Sequence, residues 1–341
     1  MKQKIVVTGG TGYIGSHTVI DLIQQGFEVI ILDSLARSEK KSLCQIEAVT
    51  GQQPTFYEVD LCQKSKLEAI FETEKNIVGI IHFAAYKYVD ESVKEPLLYF
   101  ENNISSLINI LDIVAKYQIP NFVFSSSCSV YGNITSLPVK EDTPLNKAES
   151  PYARTKQIGE MIIEDFSKAY PNNKCISLRY FNPVGAHESG LIGESPSVVP
   201  NNLVPRITGT AIGIFDELKI FGTDFPTRDG SCIRDYIHVM DIAEAHTAAL
   251  RMVMQQNEAM PHEIINLGSG NGVSVKEAVA AFEKVSGKIL KVAYAPPREG
   301  DVISIYSDCS KSKSKLNWTA KRNIEDMMRT AWIWEQNRQS K

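Results

Sequence analysis

Thr8-Gly9-Gly10-Thr11-Gly12-Tyr13-Ile14-Gly15 is the stretch that decides how this chain is read. It follows an apolar run, Ile5-Val6-Val7, and opens a segment with helical periodicity over 12–25. Gly10, Gly12 and Gly15 fit GxGxxG, while Gly9, Gly12 and Gly15 fit GxxGxxG. In a strand–loop–helix unit of this kind, one glycine makes the tight turn. A second lets the backbone approach a pyrophosphate, and a third lets helix and strand pack closely. The helix start adds free N–H groups and a partial positive charge for phosphates. A glycine-rich turn without a ligand has the same spacing, so context must decide. The next apolar run, Glu28-Val29-Ile30-Ile31-Leu32, ends in Asp33. An acid at that place holds a ribose hydroxyl and repels a 2′-phosphate, which favours NAD over NADP. Arg37, close by, reads as a solvated loop charge.

Outward from the loop, short apolar runs alternate with amphipathic ones. Strands are predicted at 4–8, 28–33, 55–60, 78–84, 121–126 and 175–180, with helices at 12–25, 97–117 and 151–169. Continuous Val, Ile and Phe runs are what parallel strands covered on both faces look like. Their alternation with helices predicts an α/β fold built on a doubly wound parallel sheet. After Phe181 the texture changes to Gly, Pro, Ser and Asn up to about 205, where turn chemistry dominates. Beyond lie a helix near 201–213, strands near 218–222 and 262–267, and helices near 240–256, 274–286 and 323–337. A length of 341 residues suits two packed units. The first is expected to span 1–181, joined by part of 236–265. The second is a smaller mixed α/β substrate domain from 182–235 and 266–341.

Composition excludes several classes. The chain is 43% hydrophobic and 22% charged with a net charge of -4, so no basic field draws it to nucleic acid. No apolar run approaches the roughly 18 residues of a membrane span. Lys2-Gln3-Lys4 leads straight into the first strand, with no signal segment. Cysteines 44, 62, 128, 175, 232 and 309 show no metal-ligand spacing and read as reduced, buried thiols. A cytoplasmic enzyme without a metal is the expectation.

Tyr152 and Lys156 stand four apart on a helix announced by Ser150-Pro151, which puts both side chains on one face. A neighbouring ammonium favours a phenolate, and lowering a phenol's pKa by about three units takes about 4 kcal/mol. Such a phenolate takes a proton from an alcohol. A Tyr-x-x-x-Lys spacing alone is usually structural. Here the buried run Phe122-Val123-Phe124 precedes Ser125-Ser126-Ser127, at the carboxyl end of a strand where ligands of open α/β sheets bind. Ser127 is thereby placed to hydrogen-bond the same hydroxyl. His82 reads as a satisfied core histidine, and His17, His238 and His246 show no metal spacing. Cys128 reads as a small packed side chain. Trp318, Trp332 and Trp334 read as packing or interface residues, and the 311–315 lysines as a solvated face.

The sequence resembles the extended short-chain dehydrogenase/reductases, and within them the nucleotide-sugar 4-epimerases. The matching stretches are TGGTGYIGSHT (8–18), IHFAAYKYVDESV (81–93), FSSSCSVYG (124–132), SPYARTK (150–156), LRYFNPVGAH (178–187), PNNLVP (200–205), RDYIHVMD (234–241) and REGD (298–301). Their order and spacing cover nearly the whole chain. The resemblance implies a Rossmann-type first domain and makes Tyr152 the base, Lys156 its partner and Ser127 the third member. It implies NAD contacts at Gly9, Gly12, Tyr13, Ile14, Gly15, Asp33, Asp60, Leu61, Phe83, Ala84, Ala85, Lys87, Asn102, Ser125, Tyr152, Lys156 and Phe181. It implies UDP-sugar contacts at Lys87, Ser127, Tyr152, Asn182, Asn202, Leu203, Ile220, Phe221, Arg234, Arg298, Asp301 and Ile305. Two arginines suit a diphosphate. The implied reaction is reversible inversion at C4 of UDP-glucose and UDP-galactose, through a transient 4-keto sugar and NADH. A homodimer formed through helices 97–117 and 151–169 is implied by analogy.

Three rival activities share parts of this pattern. Related 4,6-dehydratases carry an Asp-Glu pair where this chain has Cys128-Ser129 after Ser127. Sugar-nucleotide dehydrogenases share the first half-reaction. A non-catalytic dinucleotide binder is expected to lack the Tyr-Lys pair. At Ile305 the resemblance implies a gate beside the sugar. A tyrosine there is associated with exclusion of N-acetyl groups and a small residue with their admission. Isoleucine is intermediate, so weaker activity on the acetylated UDP-sugars is expected.

Overall fold

The computed structural model describes residues 2–196, 200–297 and 302–339. Its first half runs β1 (Lys4–Thr8), α1 (Tyr13–Gln24), β2 (Glu28–Asp33), α2 (Lys41–Thr50), β3 (Thr55–Glu58), α3 (Lys64–Thr73), β4 (Ile77–His82), α4 (Val89–Lys94), α5 (Pro96–Lys116), β5 (Asn121–Ser127), α6 (Pro151–Ala169) and β6 (Lys174–Tyr180). The second runs β7 (Asn182–Val184), α7 (Leu203–Ala211), β8 (Leu218–Phe221), β9 (Ile233–His238), α8 (Val239–Gln255), β10 (Glu263–Leu267), β11 (Gly272–Ser274), α9 (Val275–Ser286), β12 (Val292–Ala295), β13 (Ser304–Ile305), α10 (Ser310–Leu316) and α11 (Ile324–Gln339).

Seven strands form one sheet in the order β10-β6-β5-β4-β1-β2-β3, and every pairing is parallel. Strand order reverses between β1 and β4, which opens a crevice at their carboxyl ends. Side chains alternate between two dry layers, as the two-residue period of a strand requires. Ile5, Val7, Val29, Ile31, Ile81 and Val123 join the core under α1 and α8. Val6, Ile30, Leu32, Ile80, Phe122 and Phe124 join the core under α3, α5 and α6. After β6 the chain leaves this sheet, then returns through α8 and β10. A mixed sheet of β7, β9, β11 and β13 and a β8–β12 pair carry a second core with α7, α9 and α11. The architecture is therefore α/β, a Rossmann-type doubly wound parallel sheet with a smaller mixed unit.

Local chemistry explains the helix starts. Ser150 caps α6 by accepting from the Ala153 N–H, with Pro151 in the first turn. Ser274 and Glu277 form a reciprocal capping box on α9. Helix α1 differs: its cap is Gly12, which has no side chain to cap the first N–H groups.

The expected β4 runs two residues too far. Phe83 and Ala84 leave the sheet, and the Ala84 N–H bonds the Thr8 hydroxyl rather than a strand. Strand β3 likewise stops at Glu58. The expectation of buried cysteines needs correction: all six are free thiols, but Cys44 is exposed and only Cys175 and Cys232 are fully buried. All three tryptophans are buried. No described helix is long and apolar enough to cross a membrane.

The glycine loop sets a steric limit. A Cβ on Gly15 sits 2.2 Å from the Gly9 carbonyl oxygen and 3.0 Å from the Gly10 Cα, both backbone atoms with nowhere to swing. Overpacking costs about 1–3 kcal/mol. Gly15→Ala is expected to lower the melting temperature by several degrees and to weaken dinucleotide binding. A variant with the wild-type melt and wild-type binding sinks this account.

Candidate active site

A cleft of about 420 Å³ lies along the switch point. Every residue expected to touch the dinucleotide lines it, from Gly9 to Phe181. Gly9 adopts φ +70°, and a Cβ there meets the Ala84 nitrogen at 2.8 Å. Only glycine combines that backbone with that approach. The uncapped start of α1 faces the same space, a cradle suited to a pyrophosphate.

Asp33 ends β2 beside this cradle. Its carboxylate accepts from the Thr11 N–H (3.1 Å), the Leu35 N–H (3.0 Å) and the Ser38 hydroxyl (3.1 Å), which holds the charge in place. Arg37 is not the solvated charge expected. It pairs with Glu91 at 2.7 Å and its guanidinium lies 4.8 Å from the centre of the Tyr86 ring. An arginine engaged on both sides offers little to a 2′-phosphate, so the preference for NAD gains support. Asp60 accepts from the Cys62 N–H at 2.9 Å and stands at the cleft wall with Leu61.

At the other end of the cleft, β5 delivers Ser125 and Ser127, and α6 delivers Tyr152 and Lys156. The Lys156 ammonium donates to the Ser125 carbonyl at 2.7 Å and lies 4.9 Å from the centre of the Phe124 ring. Burial lowers its pKa to about 8, against the opposing field of Glu160. Burial also pushes the Tyr152 phenol upward, opposed by the Ser127 hydrogen bond. The lysine was expected to bring the phenol down. In the structure its ammonium is spent on a backbone carbonyl, and desolvation dominates both groups. The Ser127 hydroxyl is held by the Ser129 N–H (3.2 Å) and hydroxyl (3.1 Å). His82 is the core histidine expected, bonded to Thr8 at 2.8 Å and stacked near Phe122 and Phe124.

The substrate positions divide. Lys87, Ser127, Tyr152, Asn182 and Asn202 line the cleft. Leu203 and Ile220 pack into the second core, and Phe221 ends β8. Arg234 lies on β9, outside the cleft lining, though its charge reaches Cys128. Ile305 is buried against Val130, Tyr131, Val139 and Phe181. Arg298 and Asp301 lie outside the described residues. No group of three or more His, Cys, Asp or Glu suited to a metal occurs among the described residues.

Sequence reasoning missed several residues of the site. Tyr180 lines the cleft and shares a 2.5 Å hydrogen bond with the Ser125 hydroxyl. Glu194 lines it too and pairs with Lys87 at 3.2 Å. Asn103 receives the Tyr86 N–H (2.8 Å) and donates to the Thr155 hydroxyl (3.1 Å), tying the Phe83–Lys87 loop to α6. Two adjacent asparagines inside a helix, poor helix formers both, were the available signal for Asn103.

A phosphate cradle at one end of a switch-point cleft, with a Tyr-Lys-Ser group at the other, defines a dinucleotide-dependent enzyme acting on an alcohol. Comparison with known proteins narrows the class. The family model described as GDP-mannose 4,6 dehydratase matches residues 6–331. UDP-glucose 4-epimerase of Erwinia amylovora is 45% identical over 98% of both chains. The UDP-glucose-4-epimerase of Stenotrophomonas maltophila, solved with bound NAD and formylated UDP-arabinopyranose, superposes with a TM-score of 0.96 at 40% identity, covering 99% of both chains. That of Bifidobacterium longum, solved with NAD+ and UDP, gives 0.92 at 38% identity over 98% of both. The chain belongs to the extended short-chain dehydrogenase/reductases, the NAD-dependent epimerase/dehydratase family, in its UDP-glucose 4-epimerase group.

Asp33 supplies a test of cofactor choice. One unit charge a few ångströms away is worth roughly 1–4 kcal/mol, about fivefold or more in binding. Asp33→Asn is expected to narrow the preference for NAD over NADP by at least that factor in direct binding measurements. An unchanged ratio would remove Asp33 from cofactor discrimination.

Proposed function

We propose that this chain interconverts UDP-glucose and UDP-galactose by inversion at C4, with NAD as its bound cofactor. The observation that carries the reading is the placement of Ser127, Tyr152 and Lys156 in the cleft that also holds the glycine cradle and Asp33. When bound, NAD supplies the acceptor for the C4 hydrogen and its return to the opposite face. Tyr152 takes the O4 proton and later gives it back, and Ser127 orients that hydroxyl. Lys156, one turn along α6, keeps a positive charge at the same end of the cleft, anchored on the Ser125 carbonyl. That charge is fully present well below pH 8 and is lost as pH rises through the lysine's pKa of about 8. The intermediate is a 4-keto sugar that turns while its uridine diphosphate stays fixed. Asn182, Asn202, Leu203, Ile220, Phe221 and Arg234 are proposed to hold that end, with Arg298 and Asp301 and with Lys87 beside the diphosphate. Residues 1–181 with part of 236–265 are proposed as the NAD-binding domain, and 182–235 with 266–341 as the UDP-sugar domain.

Dehydration is disfavoured by the site's chemistry. Elimination of water needs an acid and a base next to Ser127, and the residues there are Cys128 and Ser129. Burial raises the Cys128 thiol to about 12, which leaves it a poor base. A homodimer in the cytoplasm is proposed as the working form. Leu97 (78% exposed), Ile108 (48%) and Met161 (64%) give α5 and α6 an apolar outer face, the kind of surface a partner covers.

Purified protein incubated with UDP-galactose and no added cofactor is expected to form UDP-glucose. Tyr152→Phe is expected to lower kcat by about 10²–10⁴. Wild-type turnover in that variant excludes Tyr152 as the base. UDP-N-acetyl sugars are expected to react with lower kcat/KM than UDP-glucose, because Ile305 is branched, buried and packed on Phe181. Equal efficiencies remove Ile305 as a gate.

A further inference from the structure

We propose that Glu160 is a positioning residue for the catalytic pair: fixed by Arg179 and Ser126, its carboxylate locks α6 against β5 and is the counter-charge that Lys156 faces. The proposal rests on the reading of Lys156 given above.

Glu160 lies one turn beyond Lys156 on α6, on the same helix face. Both are buried, with 5% and 4% exposure. Two rungs join this face to consecutive residues of β5. The Lys156 ammonium donates to the Ser125 carbonyl at 2.7 Å, and the Ser126 hydroxyl donates to Glu160 Oε1 at 2.5 Å. The next residue on the strand is Ser127, and one turn back on the helix is Tyr152. The rungs therefore fix the separation of the two groups that act on one hydroxyl. Arg179 lies beside Ser126 in the β5–β6 register and grips both carboxylate oxygens, Nε at 2.9 Å and Nη2 at 2.7 Å. It also donates to the Glu141 carbonyl at 3.3 Å, and its guanidinium lies 4.9 Å from the centre of the Tyr131 ring.

As architecture alone this cluster is expensive. Buried ion pairs are often matched or bettered by apolar residues of the same volume. What such residues cannot supply is a fixed negative charge one turn from a buried ammonium. Among the described residues, other groups around α6 do not fill that role. His82 on β4 is held neutral by burial, its pKa lowered to about 3. Tyr152, Tyr180 and Cys128 are pushed upward by burial and stay uncharged. Tyr99 on α5 and Glu91 on α4 are bonded to each other at 2.8 Å, and Glu91 also to Arg37. Lys94 ends α4, and Asp90 accepts from Asn201 at 2.6 Å. Glu160 is the charge that opposes the burial of Lys156.

The test compares Glu160→Gln, Arg179→Met and the double variant. Two readouts are taken: the alkaline limb of kcat with UDP-galactose, and the Lys156 titration followed by NMR of ¹³C-labelled lysine. Without the carboxylate the ammonium gives up its proton more readily, so both should move down by about one pH unit. That is expected for Glu160→Gln and for the double variant, which covers the case in which the single variant leaves Arg179 unpaired and fails to fold. Arg179→Met breaks the same ion pair but keeps the carboxylate, so neither readout should fall. A purely structural brace moves all three variants alike. A wild-type Lys156 titration in Glu160→Gln or the double variant overturns the proposal, as does an equal fall in Arg179→Met. A wild-type protein inert toward UDP-galactose refutes the epimerase reading instead, and the NMR titration still decides the role of Glu160.

Discussion

The close approach of α1 to the end of β1 is the constraint on which the rest of the molecule depends. The Gly9 carbonyl oxygen occupies the space that a side chain on residue 15 would need. Because it does, α1 can leave the strand at once and bury its whole length from Gly15 to Ile23 between the sheet and α8. The uncapped helix start then stays at the carboxyl end of the sheet, next to the reversal of strand order. A bulkier loop would move the helix outward, loosen its packing on α8 and turn its N–H groups away from the cleft. One steric fact thus couples folding of the first core to the shape of the cofactor site.

The two units are joined by polar contacts as well as by chain crossings. The Tyr13 hydroxyl, from the glycine loop, donates to the Gly185 carbonyl at 2.6 Å. Lys87 meets Glu194 across the cleft, and Asn201 donates to Asp90 at 2.6 Å. Behind them, Trp334 of α11 donates to the Glu194 carbonyl at 2.8 Å, and Arg322 pairs with the buried Asp241 of α8. The Tyr13, Trp334 and Asp241 contacts satisfy polar groups that burial would otherwise penalise, while Lys87 and the Asn201–Asp90 pair sit at the exposed rim. Together they fix the second unit's orientation, which a purely apolar interface would define less sharply.

How much of this was legible depended on which force set each element. Strands β1 and β2 were readable to the residue, because continuous burial on two faces writes an uninterrupted apolar run. Helix α6 was readable from Ser150-Pro151 at its start. Strand β9 was not: Ile233-Arg234-Asp235-Tyr236-Ile237-His238 carries charges that belong to no strand pattern. Its Asp235 is fully buried because the Ser269, Gly270 and Ser307 N–H groups and two serine hydroxyls donate to it. Those donors come from segments more than 30 residues away, and no local window contains them. The end of β4 was misjudged for a related reason. Phe83 and Ala84 are apolar, but they serve the cleft wall rather than the sheet. Among expected site residues, those assigned to the dinucleotide all line the cleft, and most of them lie in contiguous motifs. Tyr180, Glu194 and Asn103 act through partners distant in sequence, so their roles appeared only with the fold.

The electrostatics of the catalytic end follow from its dryness. Burial raises the Tyr152 phenol and lowers the Lys156 ammonium, so desolvation drives both toward their neutral forms. A neutral tyrosine is no base, and a neutral lysine cannot favour a phenolate. The protein answers with fixed charges and dipoles in place of solvent. The Ser125 carbonyl and the Glu160 carboxylate keep the ammonium charged, and the Ser127 hydroxyl favours the phenolate. These terms leave the phenol above its ordinary value, and a positive charge brought beside it would favour its ionisation. In the proposed reaction the oxidised nicotinamide ring of NAD, held through the cradle of Gly9, Gly12 and Asp33, brings such a charge. On the proposed mechanism, proton abstraction by Tyr152 is coupled to dinucleotide binding through the same low dielectric that makes each group, taken alone, reluctant to ionise.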